Sequence, residues 1–435
     1  MKSKLTRILL AASILAAPIM FTGCKNDTSS GSSDKTVVVW HWMTDRDEAL
    51  QQLAAKYKEQ TGNTVQFQLY APSDVYQQKV RVGAQTSSLP DVFGILGDAR
   101  DVATFVEAGH VENLTVALSS GPGSWKESLY TEALETSYFK PGNPFNVPEG
   151  YYGIPIDVTT IPMIYNKKLF AKAGLNPDVP PATWEEFLEA GKKLKKIGVT
   201  GFTSGWGEAW LIYSLATDLA FNKMGEEKVM KTFKGEVSYT DPEWVSVFRA
   251  FDDMRKAGFA DPSLVTLGNK AAEQAFSSER SGMTFNGSWA VNVYAGMNTA
   301  LEYAPFRIPA LGSKFPQTVW GGAGSTFMVN GKSPRKAAAI EFLKWLSQKD
   351  QAAFLASATK NLPAVRDVKV ETAPVLTDFS ALMKNSIHPN RFSVSEDSRV
   401  QEVFNKGIQS ILIGEKTPEQ VAADVAKAKG KATEK

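Results

Sequence analysis

Tryptophans and carboxylates recur where strands of this chain should end. Trp40 and Trp42 close the β-branched run Thr36–Trp42, Trp206 follows the segment Gly198–Thr203, and Trp289 follows Met283–Phe285. Trp320 immediately precedes the pair Gly321-Gly322, and Trp210 stands four residues beyond Trp206. In open α/β sheets, ligands sit beyond the carboxyl ends of strands, so these positions point into a candidate cleft. An indole offers a large, rigid apolar face, while Asp, Glu, Arg and backbone amides take hydroxyls. Asp98 and Arg100 follow the predicted strand 91–96, Asp157 and Thr159 lie further on, and Glu208 stands between two of the tryptophans. Such a set suits a polyhydroxylated ring with apolar C–H faces. Trp184, Trp244 and Trp345 instead sit in helical apolar stripes and belong to a core, while Trp125 fits either role.

Signatures of covalent or metal chemistry are sparse. His41, His110 and His388 are the three histidines, and no H-E-x-x-H, G-x-S-x-G or phosphate-binding P-loop pattern occurs. One cysteine, Cys24, leaves nothing for a Cys-rich zinc site. The stretch Gly321–Phe327 lacks the third glycine of a dinucleotide loop and comes too late in the chain for one, so no cofactor is expected. A pair of carboxylates drawn from Asp98, Asp157 and Glu208 would be the minimum for glycoside hydrolysis.

The elements around these residues alternate. A strand at 36–42, a helix opening at Asp45 and closed by Gly62, a strand at 64–70, a helix at 75–85 and a short strand from Asp91 argue for a mainly parallel α/β sheet. Later helices carry start signals: Thr183-Trp184-Glu185-Glu186, Asp241-Pro242, Ser333-Pro334 and Thr417-Pro418-Glu419-Gln420. The length exceeds one ordinary core, which predicts two lobes with more than one crossing between them.

The first residues address the chain. Lys2, Lys4 and Arg7 precede an apolar run, Ile8–Phe21, that is short for a membrane span but suits a signal peptide. It ends at Phe21-Thr22-Gly23-Cys24, which resembles a bacterial lipobox with Phe21 in place of the usual Leu. The polar stretch 25–35 reads as a flexible tether behind a lipidated Cys24. Without residues 1–23 the count becomes 45 basic against 46 acidic residues, a near-balance that gives no field for nucleic acid.

Several blocks together resemble the family-1 extracellular solute-binding proteins, the group of maltose-binding protein and other oligosaccharide-binding components of ABC importers. They are Val38–Trp42, Leu89–Phe93 with Phe105–Gly109, Tyr152–Pro155 through Ile164–Phe170, Ala173–Leu175 with Pro181 and Thr183–Phe187, Phe276–Trp289, Gly321-Gly322, and the helix Ala337–Leu346. The resemblance spans about residues 37–425. It implies an α/β, two-lobed periplasmic-binding-protein-like fold of the class II type, each lobe a mainly parallel sheet flanked by helices, with a hinge between. The implied division is a first lobe of 36–155 plus about 327–365 and a second of 156–326 plus about 366–430. It implies a non-enzymatic monomer, exported and lipid-anchored on the outer face of the membrane or in the periplasm. That monomer closes on a neutral di- or oligosaccharide and then docks on ABC membrane subunits. Ligand contacts are expected from Trp40, Trp42, Asp98, Arg100, Asp157, Thr159, Trp206, Glu208, Trp210, Trp289, Trp320, Gly321 and Gly322. Asp98 and Arg100 resemble an early sugar-binding Asp-Arg pair, with Ala99 between them. Two rivals remain open: the same fold binding another solute such as a glycerol-phosphate ester, a polyamine or iron, and a lipid-anchored glycoside hydrolase.

Overall fold

Strand β1 (Val37–His41) begins the folded body, because Val37 and Val39 both bury completely against helices on one face of the sheet. The computed structural model describes residues 36–119, 123–312, 315–370, 374–392 and 394–433. The expected signal peptide, Cys24 and the tether fall outside these residues.

β1 pairs in parallel with β2 (Val65–Leu69) on one side and β3 (Val92–Phe93) on the other. The helix Asp47–Thr61 makes the first crossover and buries Leu50, Leu53 and Tyr57. β13 (Thr326–Val329) then enters from far downstream and lies antiparallel between β3 and β6 (Ile154–Pro155). A small hairpin, β4 (Tyr138–Phe139) with β5 (Gly150–Tyr151), flanks this sheet.

The second lobe carries the order β11-β8-β10-β9, with β8 at Met163–Asn166, β9 at Thr200–Thr203, β10 at Ser281–Phe285 and β11 at Tyr303–Phe306. Only β10 and β9 run parallel here; β8 is antiparallel to both its neighbours. Both lobes are therefore mixed, not mainly parallel. The reversals arise where the chain passes from lobe to lobe, since a strand reached by crossing need not follow the right-handed βαβ path.

The crossings form a sheet of their own. β7 (Asp157–Ile161) leaves directly after β6, and β12 (Val319–Ala323) returns antiparallel beside it toward β13. β14 (Leu362–Pro363) and β15 (Ser386–Ile387) complete the order β14-β7-β12-β15.

Three of the four start signals take the form expected of them, while the helix after Ser333-Pro334 begins only at Lys336, behind Arg335 and without a side-chain cap. Thr183 and Glu186 make both bonds of a capping box at the helix Trp184–Lys196. Asp241 caps the helix Pro242–Lys256, and Thr417 and Gln420 exchange bonds at the helix Pro418–Thr433. Trp184, Trp244 and Trp345 are buried in helical stripes, and Trp125 joins the core of the first lobe. Among the described residues no helix is long and apolar enough to cross a membrane.

Candidate functional site

A cleft of ≈ 1500 Å3 opens between the lobes, and it is lined by the ends of the strands just described. Trp42 enters it from the first lobe, immediately after β1. Its ring tilts on Tyr76 at 5.0 Å and lies across Gly94, where a Cβ would come within 2.5 Å of the indole. Trp210 and Trp289 enter from the second lobe, their ring centroids 5.9 Å apart at 51°. Gly287 makes room for Trp289 in the same way, since a Cβ there would stand 1.9 Å from the ring. Trp320 forms part of the floor, edge-on to Tyr213 and Phe392 at 6.3 Å each.

Polar groups hold these rings. Glu208 accepts from Trp210 Nε1 at 3.3 Å and from the Asn269 amide at 2.8 Å. The buried Glu273 accepts from Trp289 Nε1 at 3.2 Å. Thr159 lines the floor and is hydrogen-bonded to Ser288, the residue before Trp289, at 2.9 Å. Asp98 caps the helix Ala99–Glu107, taking the Arg100 amide at 2.9 Å and the Asp101 amide at 3.3 Å. Burial pushes its carboxyl up to about 6, with the neighbouring Asp101 charge acting in the same direction. Arg100 reaches the carbonyl of Ser395 at 3.3 Å, and Gln401 donates to Asp98 at 3.3 Å.

Trp42, Asp98, Arg100, Thr159, Glu208, Trp210, Trp289, Trp320 and Gly321 thus line one space. The other four expected contacts do not. Trp40 turns into the first lobe, edge-on to Tyr70 at 5.3 Å, with Nε1 donating to Gln68. β1 ends at His41, so Trp42 leaves the strand while Trp40 keeps the core-facing side of the pleat. Trp206 is 0% exposed and packs on Phe202 at 5.1 Å and Phe251 at 5.6 Å. The turn through Gly205 and Gly207 folds it back under β9, and the helix that starts at Ala209 brings Trp210 out instead.

Asp157 is the third departure. It is buried in a 2.5 Å ion pair with Arg46 and accepts from the Ser325 amide at 2.6 Å. Burial raises its pKa and Arg46 opposes that rise. Asp157 therefore ties the crossing strand to the first lobe. Gly322 is the fourth: a Cβ there would meet His388 at 3.1 Å, so it makes room for an imidazole and not for a ligand. Gly321 does line the cleft, yet its smallness also serves strand pairing, because a Cβ would come within 2.8 Å of the Thr159 carbonyl.

Arg46, Tyr213, Asn269, Lys270, His388 and Gln401 line the cleft without having been expected there. Arg46 follows the end of β1 closely, and the strand-end rule would have reached it had Asp45 not been read as a helix start. Burial holds His388 down at about 4, so it stands neutral in the floor. Among the described residues no group of His, Cys, Asp and Glu could hold a metal ion.

Residues 40–353 match the sequence profile of the bacterial extracellular solute-binding proteins. The chain belongs to that family. Among curated solute-binding relatives, the sn-glycerol-3-phosphate-binding periplasmic protein UgpB of Escherichia coli K12 is 26% identical over 295 residues. The UgpB of Shigella flexneri is 26% identical over the same length. These matches cover 63% of this chain and 65% of the relatives' own length.

Solved structures share the fold. A protein of Caldanaerobius polysaccharolyticus, solved in work on xylan utilization, superposes with a TM-score of 0.76 at 22% identity, covering 90% of this chain and 99% of its own. A chitin oligosaccharide binding protein gives 0.76 at 21%, covering 92% and 99%. The solute-binding protein RafE in complex with raffinose gives 0.74 at 16%, covering 92% and 99%. All three have the two-lobed α/β architecture of the solute-binding family.

Proposed function

We propose that this solute-binding protein captures a neutral di- or oligosaccharide in the interlobe cleft and presents it to the membrane subunits of an ABC importer. One observation carries the reading. Trp210 and Trp289 stand side by side in a cleft of ≈ 1500 Å3, each with its N–H held by a carboxylate. That volume exceeds the ~300–1,000 Å3 of sites for small ligands, and it suits several sugar rings better than one. The solved structures named above include proteins whose descriptions speak of chitin oligosaccharide and raffinose, which agrees with that chemistry.

Glycerol phosphate is the competing ligand, favoured by the UgpB relatives. A phosphate wants uncommitted cations or a helix N-terminus. Of the cations that line the cleft, Lys270 is held by Glu273 at 2.9 Å, Arg46 by Asp157, Arg399 by Asp397 and Lys406 by Glu402. Four of the cleft cations are thus already paired with carboxylates, which disfavours a phosphate beside them.

Binding works by closure: the ligand contacts both walls only when the lobes approach, so it shifts the population toward the closed form. No hydrolysis is expected, because Asp157 is locked in its ion pair and Glu208 in its bonds to Trp210 and Asn269. The protein acts as an exported monomer, anchored to the membrane through lipidated Cys24.

A thermal-shift panel of neutral oligosaccharides, with sn-glycerol 3-phosphate and inorganic phosphate as controls, tests this reading. A ligand bound only by the native state adds about 4 kcal/mol at a thousandfold excess over Kd. Stabilisation by glycerol phosphate alone, or steady release of shortened sugars seen by chromatography, would overturn it.

A further inference from the structure

Glu273 has no exposure to solvent, yet it carries a charge-bearing group into the second lobe directly behind the cleft wall. It lies on the helix Asn269–Ser277, and one oxygen receives three N–H donors: Asn269 Nδ2 at 3.1 Å, Trp289 Nε1 at 3.2 Å and Asn286 Nδ2 at 3.3 Å. The other oxygen pairs with Lys270 at 2.9 Å. A buried carboxylate is costly unless it is paired and hydrogen-bonded; here one oxygen is filled from its own helix and from the turn 286–289, and the other is offset by the Lys270 charge. Burial pushes the carboxyl up while Lys270 draws it back.

Those donors connect the two indoles. Asn269 gives its side-chain amide to Glu273 and its backbone amide to Glu208 at 2.8 Å. Glu208 in turn holds Trp210 Nε1, as Glu273 holds Trp289 Nε1. The chain Trp289–Glu273–Asn269–Glu208–Trp210 is continuous, and its two ends are the tilted rings whose centroids lie 5.9 Å apart. An indole alone in a wide cleft has freedom about two torsions. Fixing its N–H on a buried acceptor removes that freedom before the ligand arrives, which is preorganisation.

We infer that Glu273 is a positioning residue for sugar recognition: through Asn269 it locks Trp289 in register with Trp210, so that the pair presents a preset surface to a pyranose ring. This rests on the carbohydrate reading of the cleft. Glu273 touches no ligand itself. Its contribution reaches the sugar only through Trp289.

Two readouts separate this role from ordinary core stability. Two indoles at 5.9 Å couple electronically, so the near-ultraviolet circular dichroism of the unliganded protein should hold a component that vanishes in Trp289→Phe. Glu273→Gln keeps the shape and removes the charge; it should diminish that component while the protein still melts cooperatively. Asn269→Ala, which leaves Glu273 charged, should disturb it in the same direction. Titration with maltotriose, raffinose, chitobiose and xylotriose should show Glu273→Gln weakening whichever sugar binds wild type by about tenfold, the usual scale for a lost charged hydrogen bond. In a Trp289→Phe background the same substitution should cost nothing further. The inference fails if Glu273→Gln leaves the spectrum unchanged, if it leaves affinity unchanged, or if it weakens binding equally with Phe at 289. Should none of these sugars bind wild type, the carbohydrate reading falls, and the spectrum alone then decides whether Glu273 sets the indole pair.

Discussion

Ser73 Oγ donates to Glu208 Oε2 at 2.7 Å, joining the first lobe to the second across the mouth of the cleft. Asn292, on the helix that follows Trp289, makes a second tie by donating to the Asp45 carbonyl at 3.0 Å. Both bonds bridge the two lobes, so separating the lobes would break them. Ser73→Ala should therefore weaken ligand binding by about fivefold, the scale of a net hydrogen bond near 1 kcal/mol. Small-angle scattering of the unliganded variant should show a larger radius of gyration than wild type. Equal radii and equal affinities would mean that the bond contributes nothing to closure.

Trp289→Ala and Trp206→Ala should give opposite signatures. Loss of on the order of 100 Å2 of stacking contact at roughly 25 cal/mol per Å2 costs ~2.5 kcal/mol, so Trp289→Ala should bind tens-fold more weakly and melt only slightly lower. Trp206, buried between Phe202 and Phe251, should instead lose about 3–5 kcal/mol of stability when truncated, with affinity kept in the protein that remains folded. Calorimetric titration beside unliganded melting curves reads both.

That contrast shows where the sequence stopped being legible. Strand ends bring Trp42 and Trp289 to the cleft, because a β-run followed by a turn leaves little choice, whereas Trp320 lines it from within β12. Trp206 and Trp210 sit four residues apart across a glycine turn, and nothing local says which one the turn hides. The role of Asp157 was out of reach for a different reason. Its partner Arg46 lies in another lobe-forming segment, more than a hundred residues upstream, so no spacing pattern marks the pair. The antiparallel strands were missed likewise, since a chain that leaves a lobe and returns carries no local sign of its direction.

Asp98 gives the pH prediction. Its folded pKa of about 6 exceeds that of an unfolded aspartate, so the folded state binds the proton more tightly. Ionisation therefore costs stability as pH rises from about 4 toward 6, and the loss is complete above that window. Asp98→Asn keeps the helix cap and removes the titration. Wild type should lose ground against this variant between pH 4 and 6 and run parallel to it above. A difference that stays constant across the window would place the Asp98 carboxyl in the ordinary range.

Removing one partner of the Arg46–Asp157 pair strands a buried charge in the crossing sheet. Asp157→Ala should cost about 3–5 kcal/mol. The double variant Arg46→Met with Asp157→Leu should recover much of that stability. Denaturant unfolding of the three proteins tests the pair, and a harmless Asp157→Ala would show that the charge is not confined as the geometry indicates.

Cys24→Ser should release the protein into the medium or periplasm, or leave an uncleaved precursor. Fractionation with a globomycin-free control distinguishes these outcomes from a variant that remains processed and membrane-bound, which would rule out lipidation at this position.

The return of β13 to the first lobe has a consequence for how the molecule comes into being. β6 reaches that sheet only through β13, which lies between it and β3. A chain delivered from its N-terminus therefore exposes β1, β2 and β3 with an open edge until Thr326–Val329 arrives, more than two hundred residues after β3. Contacts so distant in sequence close slowly. The first lobe is thus begun early and closed late, and its unpaired strand edge stays open to the wrong partner for most of the time the chain is being delivered.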